Sequence, residues 1–93
     1  MLYGELYRED SWIGFYITKL GVNRDGMEEL IVRAEKENDS EAFAEMRLPA
    51  RRFFKSFGFS EDELFDMGDY IISNEPLIWE MAKEAQHGAA MSA

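Results

Sequence analysis

The stretch MEELIVRAEKENDSEAFAEMRL, residues 27–48, decides the fold, because its apolar residues satisfy two periodicities at once. Four of them fall at the i, i+3, i+4, i+7 spacing of one helical face, namely Met27, Leu30, Ile31 and Ala34. Asp25 precedes them and has Glu28 three positions on, the pattern of a capping box that begins a helix. We therefore predict a helix over residues 27–37.

The same stretch also alternates as a strand does. Over residues 30–35, Leu30, Val32 and Ala34 alternate with Ile31, Arg33 and Glu35. Further on, apolar residues recur at every second position, at Ala42, Ala44, Met46 and Leu48. Asn38-Asp39-Ser40 suits a turn between the two segments. This competing interpretation gives a four-stranded meander, and the sequence leaves the state of residues 41–48 open.

The two segments that precede this stretch have the composition of strands. LYGELYR (residues 2–8) and WIGFYITKL (residues 12–20) are rich in aromatic and β-branched residues, which suit a pleated surface. Glu9-Asp10-Ser11 between them is turn material. The sequence predicts an antiparallel β-hairpin here, and its second strand is apolar on both sides, which indicates that it is the more buried one.

The segment after the stretch is predicted to be helical. Pro49 suits the first position of a helix over residues 50–57, ARRFFKSF, which Gly58 would end. Ser60 and Glu63 then have the spacing of a capping box for the next helix.

Glu75-Pro76 opens the last predicted helix, and His87-Gly88 ends it. The expected fold is therefore α+β: an N-terminal antiparallel β-hairpin or small sheet followed by three to four helices, with a helical C-terminal half. We expect residues 1–93 to form a single domain, with residues 88–93 as a frayed tail.

Composition argues against most enzyme classes. The chain has no Cys and one His, so it lacks a thiolate nucleophile, a His pair for a metal and a Cys-based metal site. It also lacks a Gly-rich phosphate-binding loop. His87 falls at the predicted end of a helix, where its charge would interact favourably with the helix dipole. We predict that the protein is not an enzyme and holds no cofactor or metal. Without a signal peptide or a long apolar segment, it is expected to be cytoplasmic.

The acidic residues indicate the kind of partner. A net charge of −9 opposes direct binding to nucleic acid or to an anionic membrane and favours a protein partner with a basic surface. The acid is densest in residues 60–85, where eight carboxylates stand against one cation, Lys83. These residues are either an ordinary solvated face or a binding face. On two helices they would project in steps of about 6 Å, close to the interval between phosphates. The predicted charged contacts are Asp62, Asp66, Asp69, Glu80 and Glu84.

These observations predict a small acidic protein-binding module. It would dock on a basic surface of a nucleic-acid-handling protein, as a nucleic-acid mimic, and inhibit or regulate it, with Phe54 or Trp79 as an apolar anchor. In size and charge the chain is similar to small acidic phage and mobile-element proteins that disarm restriction or CRISPR machinery, and the similarity covers no motif. The alternative is a homo-oligomeric structural or adaptor module, in which the surplus of aromatic residues forms a dimer interface.

Overall fold

The computed structural model describes the backbone of residues 1–92 and the side chains of residues 1–85. Five strands precede two helices, and each strand pairs antiparallel with its neighbour in sequence, in the order β1-β2-β3-β4-β5. The elements are β1 (Leu2–Arg8), β2 (Ser11–Val22), β3 (Glu28–Lys36), β4 (Asp39–Leu48), β5 (Arg52–Phe57), α1 (Glu61–Ser73) and α2 (Glu75–Ser92).

The predicted helix over residues 27–37 is wrong, because these residues form β3. Alternation prevails over helical spacing since it buries every second side chain completely, at Leu30, Val32 and Ala34. Met27, which would have begun the helical stripe, is 59% exposed. The expected capping box is instead a turn in which the Asn23 side-chain oxygen accepts the N–H groups of Asp25 and Met27, at 2.9 and 3.0 Å.

The predicted helix over residues 50–57 is also wrong, because β5 occupies this segment. Pro49 lies in the β4–β5 turn, where Arg51 adopts a left-handed φ of 61° and donates its N–H to the Arg47 carbonyl at 2.8 Å. The aromatic residues here suit a pleated surface, and Phe57 lies directly opposite Phe43. The fold is therefore α+β with a five-stranded sheet and two helices. The prediction of a small hairpin followed by three to four helices is corrected accordingly.

The helix boundaries show where local signals suffice. At α1 the Ser60 hydroxyl accepts the Glu63 N–H at 3.1 Å, and the Glu63 carboxylate accepts the Ser60 N–H at 2.9 Å, which completes the capping box. α2 runs to Ser92 and so continues past His87, where the sequence predicted its end. The predicted fraying of residues 88–93 lies outside the part of the chain whose side chains are described.

Both helices pack on one face of the sheet and leave the other face in solvent. The core lies between the layers and joins alternate sheet residues to Met67, Ile71, Ile78 and Ala82 of the helices. Neither described helix combines the length and the apolar character that crossing a bilayer requires.

We call the face of the sheet opposite the helices the open face. Strand register and alternation place five cations and six carboxylates on it. These are Lys19, Arg33, Arg47, Arg52 and Lys55, and Glu5, Glu29, Glu35, Glu37, Glu41 and Glu45.

Candidate protein-binding surface

The acidic residues of α1 lie on its solvent side, because the helix turns its opposite side to the sheet. Met67 and Ile71 on that opposite side are fully buried. Asp62, Asp66 and Asp69 are exposed and follow one another at intervals of four and three residues. Successive carboxylates therefore project about one helical turn apart.

One of these three carboxylates is already neutralised inside the molecule. Arg8 of β1 donates from Nε to Oδ2 of Asp66 at 2.6 Å and also lies 3.1 Å from Glu9. The hydrogen bond with Asp66 raises the pKa of the Arg8 guanidinium, so this cation stays charged. A partner's cation can reach Asp66 only in competition with Arg8.

Two adjoining grooves beside β1 are lined by carboxylates of both helices. The groove between β1 and α1 has a volume of about 390 Å³ and is lined by Arg8, Asp66 and Asp69, among others. The groove between β1 and α2 has a volume of about 380 Å³ and carries Glu80 and Glu84. Tyr70 lines both grooves. We call the carboxylates of these two grooves the acidic flank: Asp66, Asp69, Glu80 and Glu84.

The floor of the acidic flank is aromatic and held in place by the core. The Tyr70 ring stacks on Phe15 with centroids 4.5 Å apart and meets Tyr3 edge-on at 6.3 Å. The Tyr3 hydroxyl in turn donates to Oδ1 of Asn74 at 2.8 Å. Burial, and next the neighbouring Tyr3, raise the pKa of the Tyr70 phenol, so this ring stays neutral at physiological pH. A rigid aromatic floor beside carboxylates suits a cation with an apolar stem.

The sequence did not indicate Tyr3 as part of this site. Simple alternation along β1 places Tyr3 on the same side as Glu5, away from the helices. The register between β1 and β2 shifts at this point, because Leu2 pairs with Tyr16 and Gly4 with Phe15. The resulting bulge turns Tyr3 toward the helix layer.

The two predicted anchors do not join the acidic flank. Trp79 is half-buried, and its indole N–H donates to Oε2 of Glu75 at 3.1 Å. Phe54 lies on the open face, where the Arg47 guanidinium stacks 4.6 Å above its ring. The aliphatic side chains that accompany the carboxylates of the second groove are instead Leu77, which is 55% exposed, and Met81.

Asp62 and Glu75 are also separate from the flank. Asp62 lies in the first turn of α1 and lines neither groove. Glu75 is 7% exposed and accepts a hydrogen bond from Nε of Arg51 at 2.8 Å, which ties the start of α2 to the β4–β5 turn. Its role is therefore structural.

The acidic flank is suited chemically to the recognition of cations. Its carboxylates can form charge-assisted hydrogen bonds with lysine and arginine, and its tyrosine faces can stack on a guanidinium. Within the described residues, no group of three or more metal-ligating side chains is arranged around one point. Comparison with models of protein families, with curated proteins and with solved structures gives no match for this chain.

Proposed function

We propose that this protein is a small acidic binding module that docks on a basic surface of a nucleic-acid-handling protein and inhibits or regulates it, in the manner of a phage or mobile-element inhibitor. The observation that carries the proposal is the acidic flank. Asp69, Glu80 and Glu84 are exposed beside an aromatic floor. Within the described residues, no cation pairs with these three side chains.

The spacing of the carboxylates favours a surface that normally accepts phosphates. Glu80 and Glu84 are one helical turn apart, about 6 Å along α2, which is on the order of the distance between successive phosphates of a nucleic-acid strand. Lysines and arginines that line a nucleic-acid groove are spaced for such a row of charges. The flank would therefore compete with nucleic acid for the same cations.

The apolar part of the flank adds contacts that a phosphate row does not offer. Leu77 and Tyr70 line the same groove as Glu80 and Glu84. Exposed charges mainly raise the association rate, whereas buried apolar contacts slow dissociation. This division predicts an inhibitor that binds quickly through its charges and stays bound through the groove.

The proposal is tested by a pair of variants with equal net charge. Glu80→Gln/Glu84→Gln removes two charges from the flank, and the control Asp25→Asn/Glu61→Gln removes two charges from the β2–β3 turn and from the first turn of α1. Each exposed ion pair contributes about 0.2–1 kcal/mol, so loss of two should weaken binding by about tenfold.

The partner is first isolated by affinity capture from the host with the wild-type protein as bait. Its binding to a fluorescent DNA or RNA duplex is then titrated with each variant. We expect wild type to displace the duplex, the flank variant to need about ten times more protein, and the control to behave as wild type. Raising the salt from ~50 to ~500 mM should weaken the inhibition.

Two results would contradict the proposal. One is equal weakening in both variants, which would mean that only the overall charge matters. The other is a captured partner that keeps its affinity for nucleic acid when saturated with this protein.

A further inference from the structure

The open face differs from the rest of the surface in both charge and composition. Its five cations nearly balance its six carboxylates, so it carries a net −1 of the chain's −9. It also exposes four large aromatic side chains: Tyr7, Trp12, Phe54 and Phe57. An antiparallel sheet usually turns polar residues to solvent on its uncovered face, so these aromatic residues require an explanation.

Two arginines of the open face, Arg33 and Arg47, form ion pairs with carboxylates of the same face. Nε of Arg33 lies 2.7 Å from Glu35, and its guanidinium lies 4.3 Å from the centre of the Phe43 ring. Tyr7 and Trp12 pack against each other with centroids 4.9 Å apart. Aromatic residues and arginine are both enriched in protein–protein interfaces relative to the rest of a protein surface.

The edges of the sheet are less suited to association than its open face. Both edge strands carry a bulge, at Tyr3 in β1 and at Phe54 in β5, where two residues advance against one on the neighbouring strand. Bulges twist an edge and interrupt the row of hydrogen-bonding groups that another strand would need.

We propose that the open face is the surface on which two copies of this protein pack against each other across a two-fold axis. In a two-fold interface the same patch meets itself, so its charge must be balanced within the patch. The open face meets this condition, whereas the remaining surface carries a net −8 and would repel its copy. The carboxylates of the acidic flank belong to α1 and α2, so they lie on the other side of the sheet from the interface.

The size of the open face is sufficient for a stable dimer. Five strands spaced about 4.8 Å apart give a width of roughly 20 Å, and the nine residues of β3 give a length of about 30 Å. The projected area is about 600 Å², and a corrugated layer of side chains exposes more. A standard interface buries about 800 Å² per partner, and two sheets pack well at a separation of about 10 Å.

The inference stands independently of the proposed function. It rests on the neutral open face rather than on the acidic flank, so either can fail without the other. If both hold, the dimer displays two acidic flanks and can bind two basic sites at once.

The test is the molar mass in solution, with a control variant of matched chemistry. In sedimentation equilibrium the wild-type mass should rise from the chain mass of 10.8 kDa at ~1 μM toward twice that value at ~200 μM, with the same concentration dependence at ~50 and ~500 mM salt. Phe57→Glu, on the open face, should give the mass of one chain. The control Phe65→Glu should leave the dimer intact, because Phe65 lies on α1 and not on the open face. The two variants are comparable because both side chains are exposed, Phe65 by 75% and Phe57 by 60%.

A second measurement does not depend on how the Phe57→Glu variant folds. Trp79→Phe leaves Trp12 of the open face as the only tryptophan of the chain. Its fluorescence should shift to shorter wavelength and become less accessible to acrylamide as the concentration rises from ~1 to ~200 μM.

Three outcomes would overturn the inference. The first is a wild-type mass of 10.8 kDa at every concentration. The second is a dimer that persists in a folded Phe57→Glu variant. The third is a dimer in which Trp12 is as accessible to acrylamide as it is in the monomer.

Discussion

Gly4 lies on β1 against the Tyr70 hydroxyl, and we predict that Gly4→Ala destabilises the protein only while that hydroxyl is present. A Cβ at position 4 would overlap the Tyr70 Oη atom, whereas the next ring atom, Cζ, would lie at 3.7 Å, an ordinary contact. Tyr70→Phe keeps the ring and removes the oxygen. The double variant should therefore tolerate the methyl group that the single variant cannot.

The magnitude follows from what holds the Tyr70 ring in place. To admit a Cβ the ring must move by roughly 1 Å, although it stacks on Phe15 at 4.5 Å and meets Tyr3 at 6.3 Å. Overpacking of this kind costs about 1–3 kcal/mol. Replacing Gly by Ala within a strand otherwise stabilises the folded state by about 0.5–1 kcal/mol. We expect a net loss of about 1–2 kcal/mol in wild type and a small gain in the Tyr70→Phe background.

The assay is a double-mutant cycle on four proteins: wild type, each single variant and the double variant. Urea unfolding followed by circular dichroism should give a coupling energy of about 2 kcal/mol. The thermal midpoint of Gly4→Ala should fall by about 5–15 °C. A coupling below about 0.5 kcal/mol would refute the reasoning, because the methyl group would then cost the same with and without the hydroxyl.

Three further predictions concern charge and backbone. Glu37→Gln should raise the thermal midpoint at pH 7 and leave it nearly unchanged below pH 4.5. The hydrogen bond with Glu5 raises the pKa of Glu37, so the folded state favours the protonated form and loses this advantage as the pH rises. Glu63→Gln should cost about 0.5–1 kcal/mol at pH 7 in urea unfolding, and its curve should converge with wild type in acid. Burial raises the pKa of Glu63, but its capping hydrogen bonds and an ion pair outweigh burial, so the pKa is lowered in the folded state. The contribution of the Glu63 carboxylate to stability is therefore present above pH 4.5 and is lost as the pH falls through the folded-state pKa. Gly58→Ala should cost about 2 kcal/mol of stability in the same assay, because φ is 81° and the added Cβ would lie 2.8 Å from the Ala42 side chain of β4. Gly21→Ala is the control, because a Cβ at position 21 meets nothing within 4 Å. These expectations would be contradicted by a lower thermal midpoint for Glu37→Gln at pH 7 or by a loss of stability in Glu63→Gln that does not change in acid. Equal losses of stability in the two glycine variants would contradict the third.

The parts of the fold that the sequence predicted are those decided by neighbouring residues. The α1 capping box needs only Ser60 and Glu63, three positions apart, and its hydrogen bonds form as expected. The β1–β2 hairpin likewise depends on two adjacent segments and a short turn. In both cases the interacting groups are close in sequence, so local pattern and local structure coincide.

The central sheet was only the competing interpretation of the sequence, because residues 27–48 are consistent with a helix and with strands. The choice depends on what buries the alternate apolar side chains. Val32 and Met46 reach the core only because α1 and α2, later in the chain, cover that face of the sheet. The spacing of the phenylalanines of β5 also fits a helix, and pairing with β4 decides their state. Long-range packing therefore overrides local propensity in this half of the molecule.

Helical spacing indicates which carboxylates of the acidic flank are exposed, but not the grooves in which they lie. Helical spacing correctly placed Asp69, Glu80 and Glu84 in solvent. No local pattern indicates that Arg8 neutralises Asp66 from 58 residues away. A contact of this kind arises only once β1 is fixed at the edge of the sheet beside α1.

The two-layer architecture predicts that association through the acidic flank and association through the open face respond differently to salt. The helix layer and the turns carry nearly all of the net charge of −9, whereas the open face is almost neutral. Attraction between the acidic flank and a basic partner is screened as the ionic strength rises, but association through aromatic residues and paired charges is not weakened in the same way. A salt titration of the assembled complex should therefore release the basic partner first and leave two copies of this chain joined through Trp12 and Phe57. If the two associations were lost at the same salt concentration, a single electrostatic surface would have to account for both, and the separation of roles between the two layers would be incorrect.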